Sequence, residues 1–423
     1  MDYHWAGQQL VSSGKNLPHH VVWTLVVAIA IAIAISLLLR SKKRSSSSRL
    51  PSSAAPDDDD DDGKARRKKK NHWSDRVHPE LGPPPPVPTF DTWWKVRAFG
   101  MLASIPGRPK SGVRMKKVEG IGTYYYPANN DSKEDIDDDI DAPDHSILWI
   151  HGGGRIMGSS CGIGECHTCS KIVLMFSVPV LAADYRKPPD HPFPAALDDV
   201  HRAYHWLSSK SKGGGRSRIA VAGLSAGGGL AAELCQRLFD ESIGGGAAAG
   251  VGGDDDRRIR ELLADVPLPA CQLLLDPMLD DRTSSRARSE SSATTNLLLP
   301  PHPVWNDGSN SYAWSLYLGP HRVVPGGGEA PLPRYASAAR RSDLSGLPPA
   351  LILVGDLDLF HGECAEYARR LKSHGVETEF AVTGGGYHAF MCMKYDAGPS
   401  VECWGRFHAF GTKFLFDQTI SSS

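Results

Sequence analysis

The chain has 423 residues, of which 41% are hydrophobic, and its 47 Lys and Arg against 48 Asp and Glu give a formal net charge of −1. This apolar fraction is ordinary for a globular protein, and it excludes a wholly disordered or collagen-like chain. Without net positive charge the molecule has no global field to attract nucleic acid, so no nucleic-acid partner is expected.

A long apolar segment lies near the start of the chain, after a short tail at residues 1–20. Val21–Leu39 contains 19 residues without a charge, enough to cross about 30 Å of hydrocarbon as a helix. A cleaved signal peptide is the main alternative, but its apolar region spans only about 7–15 residues and follows basic residues. Here the basic residues come after the segment, beginning at Arg40. The sequence therefore predicts an uncleaved transmembrane anchor over residues 21–39.

Residues 40–89 have the composition of a solvated linker. A run of serines at 45–48 is followed by six aspartates at 57–62 and then by a basic cluster at 64–70. Such charge blocks cannot bury a core and stay in contact with water. A spacer is the expected role, and contact of the basic cluster with anionic lipid is the alternative.

From about residue 90 to residue 418, short apolar runs alternate with longer amphipathic stretches. Apolar runs of this kind are typical of strands that are buried on both faces, and their alternation with helices predicts a mostly parallel sheet with flanking helices, an α/β fold. The predicted strands are Ser146–Ile150, Val178–Ala183, Arg218–Ala222, Cys271–Leu275, Ala350–Val354 and Glu379–Val382. The predicted helices are Ala195–Ser208, Ala226–Asp240, Gly362–His374 and Cys403–Phe416.

Two segments of this region show little strand periodicity. Residues 277–345 are rich in aromatic side chains and lie between two predicted strands. Together with residues 90–115 they are expected to form a helical cap. Such a cap would lie over the carboxyl edge of the sheet, where open α/β proteins place their sites.

The strongest local motif is Gly-Leu-Ser-Ala-Gly at residues 223–227. It follows a predicted strand and opens a predicted helix, which is the setting of the G-x-S-x-G elbow that exposes a nucleophilic serine. A plain Gly/Ser turn is the alternative, but the strand–turn–helix context favours the elbow. The motif therefore predicts Ser225 as a nucleophile.

A second motif, His-Gly-Gly-Gly at residues 151–154, follows the strand Ser146–Ile150. Consecutive glycines leave backbone N–H groups unobstructed, and in acyl-transfer enzymes such groups bind the developing oxyanion. The N–H of Ala226, directly after the serine, would complete the hole. A flexible linker is the alternative, but this run lies at a strand end and not in a polar tract.

The order of the remaining candidates fits a Ser–acid–His triad. Asp356 and Asp358 follow the strand Ala350–Val354, and His388 follows the strand Glu379–Val382. Each lies just beyond the carboxyl end of a strand, as sites in open α/β sheets do. His388 is the predicted general base, and position alone leaves both aspartates open as the acid.

Three further motifs accompany the glycine motifs and the late histidine: DYR at 184–186, HPFPAA at 191–196 and LPPA at 347–350. Together they resemble the hormone-sensitive-lipase-like branch of the α/β-hydrolase esterases, which includes arylacetamide deacetylases and fungal steryl acetyl hydrolases. The resemblance covers roughly residues 90–418.

This resemblance implies an α/β-hydrolase fold, carboxylic ester hydrolysis, and oxyanion donors at Gly153, Gly154 and Ala226. In that family a Glu follows the acid five residues later. Asp358 with Glu363 has this spacing, so the resemblance implies Asp358 and not Asp356 as the acid.

Two local features depart from the simplest interpretation. Arg155 stands where the family usually has a bulky apolar residue, so an unusual pocket floor or entrance is expected. Cys161, Cys166 and Cys169, with His167 among them, could bind zinc. A structural zinc site needs four ligands, however, so small residues in a loop and helix start are the favoured interpretation.

The expected function is a membrane-anchored serine hydrolase acting on small apolar esters, with no cofactor and no metal. The alternative is a non-catalytic ligand-binding relative, because plant gibberellin receptors resemble this family and lack the triad histidine. The presence of His388 favours the enzyme. No oligomeric state is predicted.

The expected location is the endoplasmic reticulum membrane. Basic residues after the anchor favour a cytosolic catalytic region by the positive-inside rule. The resembling deacetylases instead face the lumen, and Asn130-Asp131-Ser132 is an N-glycosylation acceptor that is usable only there. The cytosolic orientation is the prediction, and the luminal one stays open.

Overall fold

The computed structural model of the protein describes residues 76–128, 144–210, 218–243, 266–283, 302–322 and 331–417. The predicted anchor at 21–39 and the glycosylation acceptor at Asn130 lie outside these ranges. Among the helices that lie within them, none has both the length and the apolar character that crossing a membrane requires.

An eight-stranded sheet forms the centre of the described domain. The strands are β1 Val113–Val118, β2 Gly122–Pro127, β3 His145–Ile150, β4 Val180–Ala183, β5 Arg218–Leu224, β6 Cys271–Leu275, β7 Ala350–Gly355 and β8 Thr378–Thr383. Their order in the sheet is β1-β2-β4-β3-β5-β6-β7-β8. β2 pairs antiparallel with both β1 and β4. The six strands that follow β2 in the sequence are parallel to one another. These six are the strands that the apolar runs predict, and their ends differ from the predicted ends by no more than about two residues.

Helices connect the parallel strands and cover both faces of the sheet, which confirms the predicted α/β class. The described helices are α1 Trp93–Ala103, α2 Ile163–Phe176, α3 Ala195–Lys210, α4 Ala226–Ser242, α5 Asp307–Leu318, α6 His361–Ser373, α7 Phe390–Met393 and α8 Gly398–Phe416.

The core consists of two hydrophobic layers, one on each face of the sheet. On one face, α3, α4 and α6 pack against the sheet through buried side chains such as Leu197, Leu230 and Leu371. On the other face, α2 and α8 do so through side chains such as Ile172 and Phe407. Burial on both faces explains why the central strands are almost entirely apolar.

The chain before residue 90, which the sequence assigns to the linker, contacts the domain from residue 76 onward. The Leu81 side chain is completely buried. The His78 N–H donates to the Gly385 carbonyl at 3.1 Å, and the Glu80 carboxylate accepts from the Gly398 N–H at 2.7 Å. The last part of the predicted linker therefore packs beside the loop that carries the candidate histidine.

Candidate active site

Ser225 lies at a sharp turn between β5 and α4. Its backbone has φ 56° and ψ −121°, a conformation that L-residues rarely adopt. The Ser225 N–H donates to the Leu275 carbonyl at 2.7 Å, and the Ser225 carbonyl accepts from the Met278 N–H at 2.9 Å. A Cβ at Gly227 would collide with the carbonyl oxygen of Ile150, so the turn needs glycine there. The motif thus has the strand–turn–helix setting that its sequence predicts.

His388 lies between Ser225 and Asp358. Its Nε2 is 2.9 Å from the Ser225 Oγ, and its Nδ1 is 2.7 Å from the Asp358 Oδ2. All three side chains are buried. Burial lowers the pKa of His388 and the Asp358 carboxylate raises it, and the net result is a pKa above the ordinary 6.5. With its proton on Nδ1, the imidazole donates to Asp358 and leaves Nε2 free to accept the serine proton.

The two aspartates after β7 have different partners. The Asp358 Oδ1 accepts from the Phe360 N–H at 2.9 Å, and this bond leaves Oδ2 directed at His388. Asp356 instead accepts from the Gly385 N–H at 2.7 Å. The geometry therefore brings together Ser225, His388 and Asp358, and it gives Asp356 a bond to the adjoining loop.

The hydrogen-bonded set Ser225–His388–Asp358 forms a relay, and the carboxyl group of Asp276 lies beside it. Sequence reasoning missed Asp276. The side chain is completely buried, and a carboxyl oxygen lies within 4.8 Å of a ring nitrogen of His388 and a carboxylate oxygen of Asp358. Its Oδ2 accepts from the Ala389 N–H at 3.0 Å. Burial and the Asp358 charge raise the pKa of Asp276 well above its ordinary value, which favours the protonated form of this carboxyl. Its position directly after β6 was the available signal.

The His-Gly-Gly-Gly loop follows β3 and lies against the serine. A Cβ at Gly152 would lie 3.4 Å from the Ser225 Cβ. Gly153 and Gly154 have φ values of 105° and 62°, which glycine adopts without a steric penalty. The loop therefore places its backbone next to the nucleophile, with no side chain of its own in between. Ala226 follows the serine at the start of α4.

His151 supports this loop. Its Nδ1 lies 2.7 Å from the Gly152 carbonyl, and its ring stacks on Tyr185 with centroids 4.3 Å apart. The Tyr185 hydroxyl donates to the His151 carbonyl at 3.0 Å. Burial holds the pKa of His151 well below its ordinary value, so the ring is neutral and Nδ1–H can donate to Gly152. These contacts fix the loop and give His151 a bracing role.

Arg155 is completely buried, and its guanidinium forms an ion pair in the core. It donates to the Glu233 carboxylate at 3.0 and 2.7 Å and lies 4.5 and 4.2 Å from the ring centroids of Trp314 and Tyr317. Burial raises the pKa of Glu233 to about 6, although the Arg155 charge opposes this shift. The arginine that departs from the family pattern therefore joins the glycine loop to α4 and α5.

Aromatic side chains surround the imidazole of His388. The ring centroid of Trp305 is 6.4 Å away, and Phe360 approaches edge-on at 5.3 Å. Trp305 also packs against Phe90 at 6.0 Å, and a Cβ at Gly154 would collide with its ring. Trp305 and Phe90 belong to the two segments from which the sequence predicts a cap, so these segments meet beside the relay.

The cysteines at the start of α2 are core side chains. Cys166 and Cys169 are buried, and the Cys166 Sγ lies 3.2 Å from the Tyr125 hydroxyl. Burial raises the pKa of both thiols, which disfavours the thiolate that a metal needs. In the part of the chain that the structure describes, the converging groups of candidate metal ligands do not include these cysteines.

The family described as alpha/beta hydrolase fold matches residues 147–392, more than half of the chain, and the chain belongs to this family. The match confirms the resemblance to the hormone-sensitive-lipase-like branch. It spans the glycine loop, the serine elbow, both aspartates and His388.

Similar curated proteins bear the names of ester hydrolases. The carboxylic ester hydrolase LipN of Mycobacterium tuberculosis is 30% identical over 250 residues, 58% of this chain and 57% of its own length. The ethyl acetate hydrolase of Pseudomonas putida is 30% identical over 252 residues, 59% of this chain and 66% of its own length. The chain thus spans between about half and two thirds of the length of these relatives.

A solved structure agrees over a larger part of the fold. A bacterial heroin esterase superposes with a TM-score of 0.60 at 25% identity, covering 81% of this chain and 99% of the other.

Proposed function

We propose that the protein is a serine esterase that hydrolyses carboxylic esters at Ser225. The observation that carries this proposal is the relay in which the two ring nitrogens of His388 lie 2.9 Å from the Ser225 Oγ and 2.7 Å from the Asp358 Oδ2. A serine hydroxyl is a weak nucleophile until an adjacent base accepts its proton, and a base needs a third group to orient it. The ester hydrolases among the relatives support the same activity.

Acylation begins when the Ser225 Oγ attacks the ester carbonyl carbon and the His388 Nε2 takes the hydroxyl proton. The carbonyl oxygen becomes an oxyanion, and the backbone N–H groups of Gly153, Gly154 and Ala226 are the proposed donors to it. His388 then gives its proton to the alkoxy oxygen as the carbon–oxygen bond breaks. The alcohol leaves, and the acyl group stays on Ser225.

Deacylation repeats these transfers with water. His388 takes a proton from the water as its oxygen attacks the acyl carbon, and the same N–H groups hold the second oxyanion. The bond to the Ser225 Oγ then breaks, and the serine recovers its proton from His388. The carboxylic acid leaves, and no cofactor or metal takes part in either half of the reaction.

The proposed substrates are small apolar esters. Trp305 lies 6.4 Å from the imidazole and keeps 5% exposure, so a substrate next to the relay meets its aromatic surface, while the buried Phe360 packs behind the imidazole at 5.3 Å. Aromatic walls favour apolar acyl or alcohol groups through burial of their surface. One similar protein is named an ethyl acetate hydrolase, which supports a short acyl chain.

The direct test uses the full chain in detergent, an organophosphonate that traps serine nucleophiles, and chromogenic esters of increasing acyl length. Wild type should become labelled at Ser225 and hydrolyse the short esters, and Ser225→Ala should do neither. If wild type binds an ester analogue tightly but shows neither turnover nor labelling, the protein is a non-catalytic ligand-binding relative and the esterase proposal is wrong.

We also propose that Val21–Leu39 anchors the protein in the endoplasmic reticulum membrane with the catalytic region in the cytosol. The support is the uncharged apolar run and the basic residues after it. Extraction of membranes with carbonate should leave the full chain in the pellet and release a chain that lacks residues 1–40. A glycosidase-sensitive mass shift that disappears in Asn130→Gln would place the catalytic region in the lumen.

A further inference from the structure

Two histidines and a glutamate converge at the contact between α3 and α4, away from the proposed active site. His201 and His205 lie one turn apart on α3, and Glu241 lies near the end of α4. The His201 Nε2 is 2.8 Å from the Glu241 Oε2 and 3.0 Å from the His205 Nε2. Each residue thus offers one ligand atom, and the three atoms lie within 4.8 Å of one another.

Hydrogen bonds alone account poorly for this arrangement. An imidazole nitrogen has a single position in the ring plane, which holds either a proton or a lone pair. If the His201 Nε2 carries a proton, the proton can point at Glu241, but the His205 Nε2 must then share that same proton. If it carries a lone pair, its contact with the carboxylate is repulsive. A cation at the centre satisfies all three atoms at once.

The spacing is close to that of a metal site. Zinc binds histidine nitrogen and carboxylate oxygen at about 2.0–2.1 Å, and tetrahedral geometry then places neighbouring ligand atoms about 3.3 Å apart. The observed 2.8 and 3.0 Å need to open by only a few tenths of an ångström. Two histidines at i and i+4 on one helix are a common way to hold zinc.

The charged groups beside the three proposed ligands favour a bound cation. Arg237 donates to the other oxygen of Glu241 at 3.0 Å and to Asp198 at 2.7 Å, which orients the carboxylate and leaves Oε2 toward the histidines. The charges of Arg237, Glu241 and Asp198 sum to −1, which favours a cation beside them.

We propose that His201, His205 and Glu241 form a binding site for a divalent transition metal ion, Zn²⁺, with water as the fourth ligand. Partial exposure of the His201 and Glu241 side chains, 13% and 15%, leaves an approach for the ion and the water. The site holds the end of α4 against α3. Glu241 is 15 residues from Ala226, about 22 Å along the helix, so the ion has no part in the chemistry at Ser225.

The bound ion stabilises the folded protein, because the three ligands come together only in the folded chain. The test uses the full chain without a polyhistidine tag, stripped of metal and titrated with Zn²⁺ against a chromogenic chelator. Wild type should bind one more equivalent of Zn²⁺ than His205→Ala, and its Tm should rise with Zn²⁺. The variant His205→Ala removes one ligand, and Glu241→Gln removes another with little change of shape.

His408→Ala is the matched control, since it removes an exposed helical histidine. It should bind Zn²⁺ as wild type does, while His205→Ala and Glu241→Gln should bind on the order of 100-fold more weakly at this site. If one of these two variants does not fold without metal, the other variant is compared with wild type. Equal stoichiometry, affinity and Tm response in wild type and both variants would overturn the proposal.

Cobalt distinguishes this site from the eight free thiols of the chain. Co²⁺ in wild type should give the visible absorption of a site with nitrogen and oxygen ligands, and His205→Ala should lose it. A strong thiolate-to-cobalt charge-transfer band at one equivalent would assign the tight site to cysteines and contradict the proposal. None of these readouts depends on esterase activity, so the failure of one proposal leaves the other intact.

Discussion

Arg155 and Glu233 form an ion pair in which both side chains are completely buried, with Nη2 of the arginine 2.7 Å from Oε1 of the glutamate. Arg155 directly follows the glycine loop, and Glu233 lies on the helix that begins after Ser225. The pair therefore connects the proposed oxyanion loop with the helix of the nucleophile. A buried pair of this kind fixes one arrangement, because either charge alone would be strongly disfavoured there.

We predict that Arg155→Met lowers the free energy of unfolding by about 3–5 kcal/mol, since it leaves the Glu233 carboxylate without its partner. Arg155→Met combined with Glu233→Met replaces the pair by apolar side chains, and it should recover most of this loss. Denaturant unfolding of both variants and wild type at pH 7 measures the difference. If the free energy of unfolding of the single variant lies within about 1 kcal/mol of the wild-type value, roughly the error of such measurements, the prediction is contradicted.

The pH dependence of Arg155→Met gives a second readout of the same pair. The pKa of Glu233 is already raised to about 6 in the folded protein, and loss of the arginine charge raises it further. A carboxyl group with a raised folded-state pKa destabilises the fold as pH rises above its unfolded value. Both proteins should lose stability as pH rises from the ordinary value of 4.5 to about 6, and above about pH 6 the variant alone should continue to lose it. If the free energies of unfolding of the variant and wild type change in parallel with pH over this range, Glu233 does not cause the instability of the variant.

The sequence predicts the central strands well because each is an apolar run buried on both faces. β1 and β2 escape this reasoning because they lie at one end of the sheet, and β1 carries charged residues with side chains that are only partly covered. α2 contains glycine, cysteine and threonine, and α5 contains serine, asparagine and glycine, so neither shows the periodicity of an amphipathic helix. Tertiary packing stabilises both.

The candidate site is predictable in part for a related reason. Ser225 and the glycines belong to motifs with a local backbone requirement, and His388 is selected by its place after the last strand. Asp276 belongs to no motif, and its importance arises only when β6 and β7 become neighbours and bring it beside Asp358. Contacts between distant segments of this kind cannot be read from local spacing.

We predict that Ser225→Ala and His388→Ala each lower kcat for a short ester by on the order of 10⁴–10⁶. The serine supplies the nucleophile and the histidine its base, so removal of one makes the other useless. The double variant should therefore be about as inactive as either single variant. Rates well below both single variants, after subtraction of the uncatalysed reaction, would show that the two residues act independently.

We predict that the three aspartates near the histidine differ sharply when each is changed to asparagine. Asp358→Asn should lower kcat by on the order of 10⁴, because it holds the wrong imidazole tautomer. Asp276→Asn should stay within about tenfold of wild type, since the amide imitates a neutral carboxyl and can still accept from the Ala389 N–H. Asp356→Asn should also have a small effect.

Steady-state kinetics with one acetate ester, alongside thermal unfolding of each variant, measures these differences. A large loss in Asp276→Asn with an unchanged Tm would mean that Asp276 is the charged acid. Asp276→Ala is the complementary variant, because it removes the acceptor for Ala389 and opens a cavity beside the imidazole. It should lower kcat more than Asp276→Asn does.

The pH dependence of kcat/KM should report the state of His388 in the free enzyme. Only the neutral imidazole can accept the serine proton, so activity falls as pH drops through its pKa. Burial opposes the charged imidazole and Asp358 favours it, and the net pKa lies above 6.5. The acid limb of wild type should therefore have its midpoint above pH 6.5. In Asp358→Asn the larger of the two favourable charges is gone, while the smaller contribution of Asp276 and the burial remain, so the residual activity should show a midpoint at lower pH than wild type. An unchanged or higher midpoint in that variant would mean that a group other than His388 controls the limb.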